Sequence, residues 1–246
     1  MADSTAARLE FALPGDWWRA PLEADPETRA RAIAEFVRAR YGRRDDLART
    51  RAEHRARLAG SLDAAVRAGA TAMHVSESND GGIAFASTLT EYALPGVFGS
   101  SPEPAVLADR VVGAVTRAAG ASTSDPWSAF AAEGGVAFAK GESIVLRRVV
   151  RRGPADAADA ATADAATADA ATSHPAGPDA TTSAAVESLT ADYWITVPGR
   201  PEVVLVSLST ALGPLEPLML ELFDRVIAAA TWRAAPSLRD ELTDAR

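Results

Sequence analysis

The 246-residue chain contains no cysteine. Disulfide bonds, thiolate nucleophiles, iron–sulfur clusters and cysteine-based zinc sites are therefore excluded. Only three histidines occur, His54, His74 and His174, and they are far apart in the sequence, without an HExxH motif. We predict no metal and no cofactor. We expect His54 to be a half-buried structural residue, and His74 to lie on a strand where Glu77 or Glu91 could pair with it across a hairpin.

The sequence also lacks the patterns of membrane and secreted proteins. No apolar run approaches the roughly 20 residues that cross a bilayer. Residues 1–11, MADSTAARLEF, show neither the basic nor the apolar segment of a signal peptide. We therefore expect a cytoplasmic protein that does not associate with membranes.

Basic residues are fewer than acidic ones. The net charge is −8, and Lys140 is the only lysine. Because neutralising phosphates requires an excess of Lys and Arg, we predict that the protein does not bind nucleic acid.

Common catalytic motifs are absent as well. The chain has no GxxxxGK[ST], no GxGxxG and no GxSxG. Ser207 and Ser209 fall on a predicted strand, with no Asp and His placed in the sequence to complete a triad. These absences favour a non-enzymatic protein. The alternative is a small-molecule-binding protein, or an enzyme whose site is assembled from distant residues, with a pocket between sheet and helices lined by Trp18, Trp127 and Trp194.

One segment has low complexity. Residues 153–184 repeat an Ala/Asp/Thr unit and contain no apolar residue larger than alanine. Such a segment buries too little surface to offset the entropy of ordering it. We predict a single domain over residues 1–246, a flexible insertion at 153–184 within it, and a flexible C-terminal tail at 236–246. The strands on the two sides of the insertion are expected to share one sheet.

The remaining chain alternates helical periodicity with strand pairs, which indicates an α+β fold with a mostly antiparallel sheet flanked by helices. Asp25 as N-cap, Pro26 at the first helical position and Gly42 as a stop delimit the first helix. The predicted helices cover residues 26–41, 45–68, 102–118 and the stretch 213–232. The predicted strands lie within residues 8–14 and 17–22 (separate, or one hairpin about Pro14–Asp16), 71–78, 82–94, 128–152, 186–199 and 202–212.

Apolar spacing also predicts which side chains face the core. The first helix should bury Ala30, Ile33, Val37 and Tyr41, and the second Leu47, Leu58, Leu62 and Val66. The third should bury Val106, Leu107, Val111 and Val115, and the last Leu215, Leu218, Met219, Leu222, Val226 and Ala229 or Ala230.

The C-terminal part carries a resemblance. Residues 192–232, DYWITVPGRPEVVLVSLSTALGPLEPLMLELFDRVIAAATW, resemble the C-terminal half of actinobacterial proteins whose fold is similar to the Mog1/PsbP sandwich. Residues 11–22, FALPGDWWRAPL, look like the matching N-terminal hairpin. The resemblance implies an α/β/α sandwich. It implies no single activity, because this fold group includes a Ran-binding nuclear transport factor, a photosystem extrinsic protein and mycobacterial lipoproteins.

Adjacent tryptophans, Trp17 and Trp18, are the first candidate partner-binding residues. Neighbouring side chains on a strand point to opposite faces of the sheet. If these residues form a strand of a sheet covered on both sides, at most one of the two indoles is available to a partner.

Arginine clusters are the second candidate. Arg147, Arg148, Arg151 and Arg152 could dock an acidic partner or an anion; alternatively they form a charged edge strand that resists aggregation. Residues 38–57 contain eight arginines, which we interpret as a solvated helix face with pairs such as Glu53–Arg57. We therefore predict a protein-binding or scaffold module, with its partner and oligomeric state left open.

Overall fold

The computed structural model describes residues 8–78, 86–153 and 187–233. The predicted tail, the predicted insertion beyond residue 153, His174 and the turn at residues 79–82 lie outside these ranges.

Pairs of strands alternate with pairs of helices along the first half of the described chain, and four strands, a helix and a short strand follow. The strands are β1 (Arg8–Glu10), β2 (Asp16–Arg19), β3 (Ala70–Ser78), β4 (Ser87–Pro95), β5 (Val136–Lys140), β6 (Ser143–Arg152), β7 (Ser188–Thr196), β8 (Glu202–Thr210) and β9 (Thr231–Arg233). The helices are α1 (Pro26–Tyr41), α2 (Ala48–Arg67), α3 (Pro104–Ala118), α4 (Pro126–Ala132) and α5 (Glu216–Ala229), with short 3-10 turns at Asp45–Leu47 and Gly213–Leu215.

An antiparallel sheet organises the fold and confirms the predicted α+β class. Within the described residues it has seven strands in the order β2-β3-β4-β8-β7-β6-β5, and β1 pairs with β9 in a separate ribbon. Strands β6 and β7 pair from Val145–Ile195 to Arg152–Ser188. The chain before residue 154 and the chain after residue 186 therefore share one sheet, as predicted.

Both faces of the sheet are covered. On one face, which we call the α5 face, β7 presents buried side chains to Met219, Phe223 and Ile227 of α5. The opposite face, the α3 face, carries two separate apolar clusters. One lies between α1, α2 and strands β2–β3, and the other lies under α3, around Leu146 and Val203.

Capping residues set the boundaries of α1, as predicted. The Asp25 carboxylate accepts hydrogen bonds from the N–H groups of Glu27 and Thr28, and Pro26 occupies the first helical position. Gly42 follows the helix with φ +67°, a conformation that side chains rarely adopt.

Helix α4 is a correction, because residues 128–132 were predicted as part of a strand. The helix begins as α1 does: Pro126 is in its first turn and the Asp125 carboxylate accepts from the Ser128 N–H at 3.1 Å. The helix has only seven residues, so the 3.6-residue spacing of its apolar side chains cannot be recognised in the sequence. Its Asp-Pro N-terminal cap, in contrast, can be recognised.

The two ends of the chain differ from expectation in a related way. Strand β1 pairs with β9 and β2 pairs with β3, so residues 8–22 form two separate strands and the one-hairpin alternative is wrong. Strand β9 was not predicted, because three residues carry no period and their partner lies more than 200 positions earlier in the sequence.

Some predicted core faces are shifted by one or more positions. At the start of the last helical segment, Leu215 in the 3-10 turn and Leu218 in α5 are 48% and 59% exposed, while Phe223 and Ile227 of α5 are buried. Residues 215–222 are apolar almost all round, so periodicity alone does not select one stripe. Among the other departures, Ala30 and Val66 are exposed, Tyr41, Leu47, Leu222 and Val106 are half-buried, and Phe36 and Ala65 are buried without having been predicted; of the alternatives Ala229 and Ala230, Ala230 is the buried one.

Candidate functional site

The adjacent tryptophans point to opposite faces of the sheet. Trp17 packs into the cluster of the α5 face, and its Nε1 donates to the Pro14 carbonyl at 2.9 Å. Trp18 lies on the α3 face, where its ring stacks on Phe36 with 4.6 Å between centroids. Each indole is half-buried and has an intramolecular partner, so neither is a free, exposed anchor.

The four strand arginines divide between the two faces. Register places Arg147 and Arg151 on the α5 face and Arg148 and Arg152 on the α3 face. They therefore do not form one patch.

Two of these arginines fix α5 to the sheet. Arg147 forms an ion pair with Asp224, and Arg151 donates through Nε to Glu216 at 2.6 Å. The hydrogen bond between Arg151 and Glu216 holds the pKa of Glu216 below its usual value and raises the pKa of Arg151.

The arginine-rich half of β6 is an open edge in the described structure. Strand β5 pairs only with Ser143–Arg147, so Arg148–Arg152 pairs with β7 alone. Charged side chains on an unpaired edge discourage the addition of another strand. This placement favours the charged-edge interpretation of the cluster.

The helix arginines line a polar cleft of about 460 Å³ between α1 and α2. Arg51 closes the connection between the helices by donating to the Gly42 and Arg44 carbonyls. The predicted Glu53–Arg57 pair is wrong: Glu53 instead accepts from Arg49 at 2.8 Å. The other arginines that line this cleft are Arg31, Arg38, Arg43 and Arg55.

The tryptophans proposed to line one pocket are dispersed. Trp194 lies with the α3 cluster, whereas Trp18 lies with the α1–α2 cluster. Trp127 is 38% exposed, and its Nε1 donates to Asp109 at 2.7 Å. Trp18 and Trp194 therefore do not line one pocket, and the small-molecule alternative stays a prediction.

An apolar groove of about 580 Å³ runs between β5 and α5. Phe138 lies on its strand side. The helix side has helical spacing and consists of Pro217, Leu220, Glu221, Asp224, Arg225 and Ala228. Its charges are balanced internally, because Arg225 donates to Glu221 at 2.6 Å and Arg147 pairs with Asp224.

A partly buried polar contact lies beside the groove. The Tyr193 hydroxyl donates to Asp224 Oδ1 at 2.8 Å, and the guanidinium of Arg147 bonds to the other carboxylate oxygen. Tyr193 is fully buried, and burial together with the Asp224 contact raises its pKa. Asp224 thereby joins α5 to both β6 and β7.

The outer edge of β5 has unpaired backbone groups in the described part of the chain. The Ile144 N–H donates to Thr196 Oγ1 at 2.9 Å, on the β7 side. Ala139, directly opposite Ile144, therefore belongs to a non-hydrogen-bonded pair and points its N–H away from β6; Ala137, two residues earlier, does the same. No charged side chain occurs from Val136 to Ala139, and Lys140 donates inward to the Ala230 carbonyl.

A second cavity of about 280 Å³ lies between the β1–β9 ribbon and strands β3 and β4. We call it the Glu91 cavity. Glu91 and His74 both line it, on the same face of the sheet, but His74 is paired in register with Leu89, and no hydrogen bond or ion pair among the described residues joins it to Glu91, so the suggested His74–Glu91 pair is not formed. Glu91 is only 7% exposed, and burial raises its pKa against the opposing effects of the Leu9 N–H, Arg8 and Arg19. Burial and the charge of Arg19 lower the pKa of His74.

An Asp–Ser pair was missed by sequence reasoning. Ser207 Oγ donates to Asp192 Oδ1 at 2.7 Å on the α3 face, and burial raises the pKa of Asp192. The β7–β8 register pairs these residues, so counting outwards from the turn at Gly199 would have found them. Of the described histidines, His74 lies on the opposite face and His54 contacts Phe36 and Tyr41, so the pair is not a catalytic triad.

The described residues contain neither a metal-ligand cluster nor a membrane-spanning helix. No three His, Cys, Asp or Glu side chains in these ranges come together as metal ligands. None of the helices there has both the length and the apolar character needed to cross a bilayer.

Known proteins add no further guidance. No protein-family model matches the sequence, and no curated protein or solved structure is significantly similar to it.

Proposed function

We propose that this protein is a non-enzymatic protein-binding module that takes up an extended segment of a partner as an additional strand along β5. The observation that carries the proposal is the uncharged outer edge of β5 beside an apolar groove. Strand addition at a free sheet edge is an established mode of peptide recognition: main-chain hydrogen bonds supply affinity and alternate side chains enter pockets.

The dimensions of the two sides match. Val136–Lys140 is five residues, about 17 Å at 3.3 Å per residue. The groove-lining part of α5, from Pro217 to Ala228, is about 18 Å long at 1.5 Å per residue. An extended segment of about five residues would pair with β5 over its full length and place alternate side chains against α5.

The charge of the two free edges on this side of the sheet differs between β6 and β5, and this difference supports β5 as the site. Arg148–Arg152 is an edge with three arginines, whereas Val136–Ala139 has none. Exposed, uncharged apolar edges favour strand addition, and charged edges oppose it. Because the charges of the groove are already paired, the preferred partner segment has apolar side chains at two alternating positions and little charge.

The proposal keeps two sequence-level interpretations. One is a relationship to the Mog1/PsbP-like group of actinobacterial proteins, supported by the α/β/α layering and by the β7–β8 hairpin that leads into α5. The other is a cytoplasmic location, which fractionation of source cells tests.

Selection of binding peptides tests the proposed function. A phage-displayed library of random twelve-residue peptides is panned against the full chain, and selected peptides are measured by fluorescence anisotropy. We expect peptides with apolar residues two positions apart and dissociation constants in the micromolar range, about −8 kcal/mol.

A matched pair of variants locates the site. Ala228 lines the groove and Ala105 is an exposed alanine on α3. Ala228→Arg should weaken peptide binding at least tenfold, because its side chain fills the groove, while Ala105→Arg should leave it unchanged. Selected peptides that bind both variants equally well, or a library that yields no binder, would contradict the proposal.

A further inference from the structure

Glu91 is a buried carboxylate beside a cavity. It is 7% exposed and lies in the middle of the sheet, paired with Ala72 on β3 and Val206 on β8. Arg8 and Arg19 act on it through space, but no ion pair joins it to a cation among the described residues. Burying an unpaired carboxylate is costly, so its presence beside a cavity suggests a partner outside the chain.

Positive charge surrounds the mouth of the same cavity. Arg8 and Arg19 line it, are exposed, and form no ion pair in the described structure. The third arginine there, Arg233, is already paired with Glu10 at 3.3 Å. The Glu91 cavity thus has one negative group at its floor and two available positive groups at its entrance.

Part of the remaining wall is apolar, and Glu10, Thr71 and His74 are the other polar residues of the lining. Leu9, Phe11 and Leu13 line one side, and all three belong to the apolar cluster of the α5 face. At about 30 Å³ for each water molecule in the liquid, a volume of 280 Å³ holds about nine waters. A ligand of about nine non-hydrogen atoms fits this space.

We propose that the Glu91 cavity binds a free α-amino acid with an apolar side chain. Its ammonium group would contact Glu91, its carboxylate would contact Arg8 and Arg19, and its side chain would pack against Phe11 and Leu13. Charge-assisted hydrogen bonds of this kind are short and strong, and the pairing neutralises the buried carboxylate. This site is separate from the groove between β5 and α5 and is independent of the proposed function.

The competing explanation is that Glu91 only anchors β1. Its carboxylate accepts from the Leu9 N–H, which ties the ribbon to the sheet. A glutamine side chain has an oxygen that can accept the same bond, so anchoring alone does not need the charge. Glu91→Gln therefore separates the two roles.

Calorimetric titration with each of the twenty common L-amino acids is the first test. We expect binding of one or more with apolar side chains. Two analogues of the best ligand follow: the carboxylic acid that lacks the amine and the amine that lacks the carboxylate. Each should bind at least tenfold more weakly, because each lacks one charged contact. No binding by any amino acid at 10 mM, or equal binding by the acid without the amine, would overturn the proposal.

Variants then assign the contacts. Glu91→Gln and Arg19→Gln should each weaken binding at least tenfold, while Arg67→Gln, an exposed arginine of α2, is the matched control. A urea unfolding curve for Glu91→Gln shows whether the variant is folded, and Arg19, an exposed residue, carries the test if it is not. Unchanged affinity in Arg19→Gln contradicts the proposal. Ala228→Arg, which blocks the β5–α5 groove, should leave amino-acid affinity unchanged, so the two proposals fail separately.

Discussion

Replacing Asp224 tests how α5 is held on the sheet. Its carboxylate accepts from the Tyr193 hydroxyl at 2.8 Å and pairs with Arg147, whose side chain is 16% exposed. Asp224→Ala removes both contacts, and the alanine cannot replace either acceptor. Because Asp224 also lines the β5–α5 groove, the same contact holds the helix side of the proposed peptide site.

The expected loss follows from the groups left behind. A buried hydroxyl without an acceptor costs about 1–3 kcal/mol. The ion pair with Arg147 adds about 1 kcal/mol, because the Asp224 side chain is 37% exposed and solvent screens the pair. We therefore expect Asp224→Ala to lower the free energy of unfolding by about 2–4 kcal/mol. Asp224→Asn should lose about half as much, since its amide oxygen can still accept from Tyr193.

Urea denaturation followed by circular dichroism measures these changes. A double-mutant cycle with Tyr193→Phe isolates the hydrogen bond. We expect Asp224→Ala to cost at least 0.5 kcal/mol less in the Tyr193→Phe background than in the parent protein. A loss below 0.5 kcal/mol for Asp224→Ala alone, with no coupling in the cycle, would refute this account of how α5 is fixed.

Three further predictions follow from local geometry. Gly135→Ala should destabilise the fold by about 1–3 kcal/mol, because a Cβ there would lie 2.6 Å from the Phe130 carbonyl oxygen. Gly60→Ala, in open space within α2, should stabilise the fold by about 0.5–1 kcal/mol, because alanine favours a helix more than glycine does. Thermal unfolding of the two variants compares these effects. Burial raises the pKa of Glu91, so the folded state favours the protonated carboxyl. Protonation of Glu91 therefore stabilises the fold fully at pH values below the pKa of this group in the unfolded chain. This stabilisation is lost as the pH rises through the pKa of Glu91 in the folded protein. Glu91→Gln should therefore raise the free energy of unfolding at pH 7 and change it less at pH 4, as read from urea curves at both pH values. Replacing residues 155–183 with a short Gly/Ser linker should leave the melting temperature within a few degrees of the parent, because Arg152 and Ser188 are directly paired and a short loop can join them; a large decrease would contradict this expectation.

Local chemistry explains which elements were predictable from the sequence. Asp25, Pro26 and Gly42 delimit α1 because capping depends on residues next to the helix ends. The β7–β8 hairpin was predictable for the same reason, because its turn and the alternating apolar residues of its strands are contiguous in the sequence. Helix α4 carries the same Asp-Pro signature, yet its alanine and phenylalanine residues also fit a strand.

Long-range pairing explains what was missed. Strand β9 is defined only by its partner β1 at the other end of the chain. The Arg147–Asp224 contact joins residues 77 positions apart, and nothing local to either side chain identifies the other. The β5–α5 groove depends on such contacts, so its position was not predictable, although the apolar residues of β5 and α5 were visible.

The two candidate sites differ in how many of their residues the sequence predicts to lie together. The sequence suggested that His74 could pair with Glu77 or Glu91 across a hairpin; His74 and Glu91 do line the same cavity, but no hydrogen bond or ion pair of the described residues joins them. The arginines of the Glu91 cavity come from β1 and β2, whose pairing partners the sequence left open. Trp17 and Trp18 behave as alternation on a strand requires, and the structure adds that both are engaged within the protein.

Amide hydrogen exchange at β5, measured residue by residue by NMR, tests the proposed strand addition most directly. The outward N–H groups of Ala137 and Ala139 should exchange rapidly in the free protein and become protected when a selected peptide binds. The inward N–H groups of Val136 and Phe138 should be protected in both states. A bound peptide that leaves Ala137 and Ala139 exchanging as fast as before would contradict strand addition at this edge.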